Sequence, residues 1–173
     1  MSLLLIIILL TAAAIAAVSD VWTGKIPNWL TYSVAGVAFV LHSWVGPVPG
    51  MLALLVMIAV LAASLPIFSC GWLRGGDVKM IVACSGLVSY QFCVPFLLWT
   101  TLCGGFVALV VAWRFGKLGE SLQSVGATMH PLLYGVVPRA LPFTTNRMPY
   151  GVAIFGGAVL TALAMAAIPG LRL

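Results

Sequence analysis

Six apolar stretches divide the chain: Leu3–Val18, Trp29–Val45, Met51–Phe68, Met80–Tyr90, Val94–Trp113 and Tyr150–Ile168. In lipid no water is present to satisfy backbone N–H and C=O groups. Each stretch must therefore close its own hydrogen bonds, and a helix is the expected form. With 63% hydrophobic and 6% charged residues and a mean hydropathy of +1.20, the chain falls outside the range of water-soluble domains. A crossing needs about 20 residues. The 173 residues thus predict an all-α, polytopic membrane protein with about six transmembrane helices and one membrane-embedded domain over residues 1–173.

Hydropathy alone leaves two segments ambiguous. The run from Met80 to Trp113 is uncharged, but Ser89-Tyr90-Gln91 followed by Pro95 predicts a break, hence a short fourth helix sunk from one face and a full fifth. The stretch from Ser2 to Ser19 has no Lys or Arg ahead of it, which a cleaved secretory signal normally carries, so it reads as a retained transmembrane helix. A polar loop is expected at about 114–149. Within it Pro131–Phe143 is apolar, too short and proline-rich to cross, and reads as interfacial or re-entrant.

The net charge of +5 sets orientation. No basic run or stripe exists, which excludes nucleic acid as a partner and leaves the lipid bilayer. With six crossings, Lys25 falls in the first loop, Arg74 and Lys79 in the third, and Arg114, Lys117, Arg139 and Arg147 in the fifth. Seven of the eight basic residues then share one side, opposite Arg172. The positive-inside tendency makes that side cytosolic and puts both termini outside the cytosol.

Against this background the acidic residues stand out: Asp20, Asp77 and Glu120 are all there are. A carboxylate at the edge of lipid is costly and is usually retained for function. Asp20 is expected just past the end of helix one and Asp77 at the start of helix four. Two crossings separate them, so both belong to one membrane face. Like-charge repulsion within such a pair leaves one carboxyl protonated and the other ionised, the state that activates water against a peptide carbonyl. Taken singly, Asp20 also reads as a solvated residue or a partner of Lys25, and Asp77 as a helix N-cap paired with Lys79. As a pair they could instead serve a proton relay in a small transporter or a non-enzymatic membrane subunit. The absence of an internal repeat and the placement of both carboxyls at one edge weigh against that.

The flanking residues suit a peptide substrate. Gly75 and Gly76 let a substrate backbone approach Asp77, and Pro27-Asn28 ends the first loop and starts helix two, with Asn28 available as its cap. The dipole at a helix N-terminus makes Asp77 the expected more readily ionised member. Cys70, Cys84, Cys93 and Cys103 show no CxxC spacing and read as small buried hydrophobes, with neither metal nor cofactor expected. His42 reads as a packing residue, His130 as a solvated one, and Trp22, Trp29, Trp44 and Trp72 as interfacial anchors. Gly104-Gly105 and Gly156-Gly157 predict close helix packing.

Three segments together resemble the type IV prepilin peptidases, specifically the short form found in tight-adherence (Flp-type) pilus systems. Asp20 followed by Lys25-Ile26-Pro27-Asn28 is similar to the family's first aspartate motif. Gly76-Asp77-Val78-Lys79 resembles the GxGD element of membrane-embedded aspartic proteases, and Met148–Ile154 resembles the final-helix motif. The resemblance implies cleavage of the leader peptide of prepilin-like proteins on the cytosolic side of a bacterial inner membrane. Asp20 and Asp77 would be catalytic, with Lys25, Pro27, Asn28, Gly75, Gly76 and Lys79 shaping the site. The longer members' cysteine-motif domain has no counterpart here, which implies peptidase activity without methyl transfer. Arg74 stands where the strict GxGD pattern has glycine. Either Gly75 supplies the lost flexibility, or Arg74 contacts substrate or anionic headgroups; close to Asp77 it would also lower that residue's pKa.

Overall fold

The computed structural model describes residues 3–69, 73–88, 90–114 and 149–167. All regular structure among them is helical: α1 (Leu3–Thr23), α2 (Asn28–Val45), α3 (Pro47–Ser69), α4 (Gly75–Leu87), α5 (Tyr90–Arg114) and α6 (Tyr150–Ala167). Each apolar stretch of the sequence corresponds to one helix. By length and composition α1, α3 and α5 are long and apolar enough to cross a membrane. At 13 residues α4 is not: a rise of 1.5 Å per residue carries it only about 20 Å, against a hydrocarbon thickness of about 30 Å. The apolar segment expected at Pro131–Phe143, His130 and Trp72 lie outside the described residues.

Besides α3, which begins at Pro47, four residues ahead of the expected Met51, three boundaries differ from expectation. First, α1 continues one turn past its expected end and includes Asp20. Val21 and Trp22 extend the run, which closes at Gly24, whose φ of 66° places it in the left-handed region that ends helices. Its N–H donates to the carbonyl of Asp20 at 2.8 Å. Second, α4 ends at Leu87 with Val88 as its C-cap, α5 begins at Tyr90, and Pro95 lies within α5. The lack of an N–H there removes one intrahelical bond without ending the helix. Third, Pro27 occupies the N-cap position of α2, and Asn28 makes no cap hydrogen bond.

Helix α4 is central and packs against each of the five other helices among the described residues. Nine of its 13 residues are buried, among them Met80, Cys84, Ser85 and Leu87, as expected of a helix without a solvent or lipid stripe. On one side α1, α6 and α5 pack in a row, and on the other α2 and α3 pack together. Although consecutive in sequence, α1 and α2 pack little against each other. Large apolar side chains are exposed at helical spacing on α3 (Met51, Leu54, Ile58, Leu61, Leu65) and α5 (Val94, Leu98, Leu102, Phe106, Leu109). An exposed apolar surface of this extent identifies a lipid-facing belt, and the chain is a polytopic membrane protein. Trp22, Trp29 and Trp44 are exposed near helix ends, where indole rings anchor at the headgroups.

Glycine packing follows the helix faces. A Cβ on Gly157 would lie 2.7 Å from Cα of Thr100, and one on Gly156 3.0 Å from Sγ of Cys103, so α6 and α5 approach to backbone contact. Gly104 likewise receives the ring of Tyr150, but Gly105 has open space around it and plays no packing part. Cys84 and Cys93 are buried, as small hydrophobes should be; Cys103 is half-buried, and Cys70 lies outside the described residues. His42 Nδ1 pairs with the Ala38 carbonyl at 2.9 Å within its own helix.

Candidate active site

Asp20 and Asp77 meet in one cavity of about 210 Å³. The end of α1 and its connection contribute Asp20, Gly24, Lys25 and Ile26; Asn28 comes from α2, and Arg74, Gly76 and Asp77 from the start of α4. Space for several water molecules is present. Both carboxylates are almost fully buried, at 5% exposure each. Two cationic residues, Lys25 and Arg74, share the walls with them.

Each aspartate is held by backbone. Oδ2 of Asp20 accepts the N–H of Gly151 at 2.7 Å. Asp20 lies in the last turn of α1, where the helix dipole opposes negative charge, but the donor belongs to the first turn of α6, where the dipole favours it. A Cβ on Gly151 would sit 2.9 Å from both the Ala16 carbonyl oxygen and Cβ of Asp20, so only glycine lets α6 come this near. Oδ2 of Asp77 reaches back one turn to accept the N–H of Arg74 at 3.2 Å, which fixes the carboxyl at the N-terminus of α4.

That N-terminus does not hold the Asp77 carboxyl in the ordinary carboxylate range. Burial, and next to it the charge of Asp20, pushes its pKa from 3.8 to about 6, against the smaller lowering effects of the Arg74 N–H and guanidinium. The dipole of the local helix is outweighed at Asp77 by desolvation from the helices packed around it.

The other candidates separate into two groups. Lys25, Asn28 and Gly76 line the cavity. Gly76 leaves one wall bare beside Ile26, although a Cβ there would make only ordinary contact at 3.5 Å. Pro27, Gly75 and Lys79 are not in the lining. Pro27 precedes α2 as its N-cap, and Gly75 begins α4 with Phe68 its nearest neighbour at 3.8 Å. Nζ of Lys79 donates to Oδ1 of Asn28 at 3.1 Å and lies 5.2 Å from the centre of the Tyr32 ring, fastening α4 to α2. Gly24 and Gly151 were missed as site residues. Gly24 had a readable signal, a glycine just after an apolar run. Gly151 had none specific to Asp20, since a backbone N–H leaves no mark in a sequence.

Fold and cavity define a polytopic membrane protein with two buried carboxyls in one cavity. Residues 6–109 match the model of the type IV leader peptidase family. That stretch is more than half of the chain and contains both aspartates. No curated protein and no solved structure matches. The chain belongs to the type IV leader peptidase family, which implies aspartic peptidase activity on prepilin leader peptides.

Proposed function

We propose that the protein cleaves the leader of prepilin-like proteins of the tight-adherence (Flp-type) class at the cytosolic face of a bacterial inner membrane. In this reading Asp20 and Asp77 are the catalytic pair, residues 1–173 form one peptidase domain, and methyl transfer is not among its activities. The observation that carries it is the shared cavity: two carboxyls from two separate sequence motifs line one small space beside bare glycine backbone. The distribution of basic residues supports a cytosolic site, and both termini then lie outside the cytosol.

Asp77, raised to about 6, holds the proton that the pair shares. Asp20 takes a proton from a water molecule as its oxygen adds to the scissile carbonyl. The tetrahedral intermediate then collapses, and Asp77 gives its proton to the departing amine nitrogen. Lys25, Asn28 and Gly76 face the peptide, while Pro27, Gly75 and Lys79 support the loop and helix that hold them.

The test is cleavage of a Flp-type prepilin by the purified protein in liposomes. Asp20→Asn and Asp77→Asn should each lower the rate by at least a thousandfold, on the order of 4 kcal/mol in the barrier. A folded variant that cleaves at the wild-type rate would remove its aspartate from the mechanism.

A further inference from the structure

The two carboxyls reside on elements with little direct contact. Helices α1 and α4 pack sparsely, and α1 is held mainly by α6. A 1 Å displacement within a catalytic constellation can cost about a hundredfold in rate, so contacts that cross between the two ends matter. Arg74 makes such a contact. Its Nη1 donates to the carbonyl of Gly24 at 3.3 Å, and its own N–H donates to Asp77. Gly24 in turn donates to the carbonyl of Asp20. Asp20, Gly24, Arg74 and Asp77 therefore form a continuous chain of contacts along one wall of the cavity. At Gly24 the left-handed conformation turns the connection at the end of α1. A guanidinium suits the task, combining a long stem with several donors in a fixed plane.

We propose that Arg74 is a positioning residue that latches the last turn of α1 to the first turn of α4, setting Asp20 against Asp77. The proposal rests on the reading of these aspartates as the catalytic pair. A glycine at position 74 could not make the latch. The latch also places a cation beside Asp77. Among the described residues, the other charged or titratable groups around Asp77 are Asp20 on α1, Lys25 in the connection and Tyr150 on α6. Lys79 is engaged by Asn28 and Tyr32 instead.

The experiment compares the full-length wild type with Arg74→Met and Arg74→Lys in liposomes, on one prepilin substrate, across pH. Arg74→Met removes donor and charge but keeps the apolar stem. It should lower kcat at least tenfold, change KM less than threefold, and move the alkaline limb of kcat/KM upward. Arg74→Lys should leave that limb near its wild-type position and recover kcat only in part, since an ammonium on a shorter stem keeps the charge but not the geometry. If Arg74→Met fails to accumulate, the kcat of Arg74→Lys decides. Wild-type kcat and pH limb in the variants, or a rise in KM alone, would overturn the latch. Asp20→Asn and Asp77→Asn run alongside. If these are inactive while the Arg74 variants behave as wild type, the latch alone falls. If they cleave normally, the catalytic reading falls and takes the latch with it.

Discussion

The backbone N–H of Gly151 donates to Oδ2 of Asp20 across 2.7 Å, fastening the first turn of the last helix to the last turn of the first. The two residues are 131 positions apart. The bond is possible only because position 151 has no side chain. A Cβ would lie 2.9 Å from the Ala16 carbonyl oxygen and 2.9 Å from Cβ of Asp20, well inside contact distance. Gly151→Ala should therefore push α6 off α1 and release the carboxyl. The expected outcome is a loss of about 1–3 kcal/mol in stability, the usual result of overpacking, and a fall of at least tenfold in prepilin cleavage. Thermal unfolding in detergent and the liposome cleavage assay measure the two effects. Wild-type cleavage by Gly151→Ala would show that this bond does not position Asp20.

The pKa of about 6 at Asp77 gives the reaction a pH signature. If Asp77 carries the shared proton, activity is lost as that proton leaves. kcat/KM, which reports the free enzyme, should fall as pH rises through about 6. The macroscopic value belongs to the pair. A profile flat between pH 5 and pH 8 would remove Asp77 as the proton holder.

The same shift opposes stability at neutral pH. Between pH 3.8 and about 6 the folded protein holds a proton on Asp77 that the unfolded chain has released. Stability therefore falls as pH rises through this window, by at most about 3 kcal/mol from this group. Asp77→Asn keeps an acceptor for the Arg74 N–H but carries no charge. It should melt roughly 5 °C above wild type at pH 8, lose that advantage by pH 4, and be inactive. A variant less stable than wild type at pH 8 would contradict the burial argument.

Helix packing makes a fourth prediction from two glycines. Around Gly157 a Cβ would come 2.7 Å from Cα of Thr100, whereas nothing lies within 4 Å of a Cβ at Gly105. Gly157→Ala should cost about 1–3 kcal/mol by forcing α6 from α5. Gly105→Ala should be neutral, or stabilise by up to about 1 kcal/mol through helix propensity. Parallel melts in one detergent compare them, and equal effects would count against backbone contact between α5 and α6.

Much of the architecture is legible because lipid permits few solutions. A run such as Met51–Phe68 has no alternative to a helix in hydrocarbon, and six runs became six helices. Ends were less legible. Asp20 looked like a residue beyond α1 because a carboxylate marks an edge, yet the helix closes only at Gly24. Pro95 looked like part of a break and lies within α5. Gly104 and Gly105 looked equivalent, but neighbouring positions on a helix face different directions, and only Gly104 meets a partner. Lys79 carried a motif signal and proved to be a tie between α4 and α2.

Residue order alone is enough for the lipid environment, the helical class and, through the parity of crossings, the expectation that Asp20 and Asp77 share a face. These follow from hydropathy and counting, properties that each segment carries alone. It takes the packed helices to bring the two carboxyls into one cavity, Gly151 to Asp20 and Arg74 to Gly24, and to raise the pKa of Asp77 by burial. Those outcomes depend on which helices pack around a group. At Asp77, desolvation and the charge of Asp20, both brought by distant segments, outweigh the local dipole that a sequence displays.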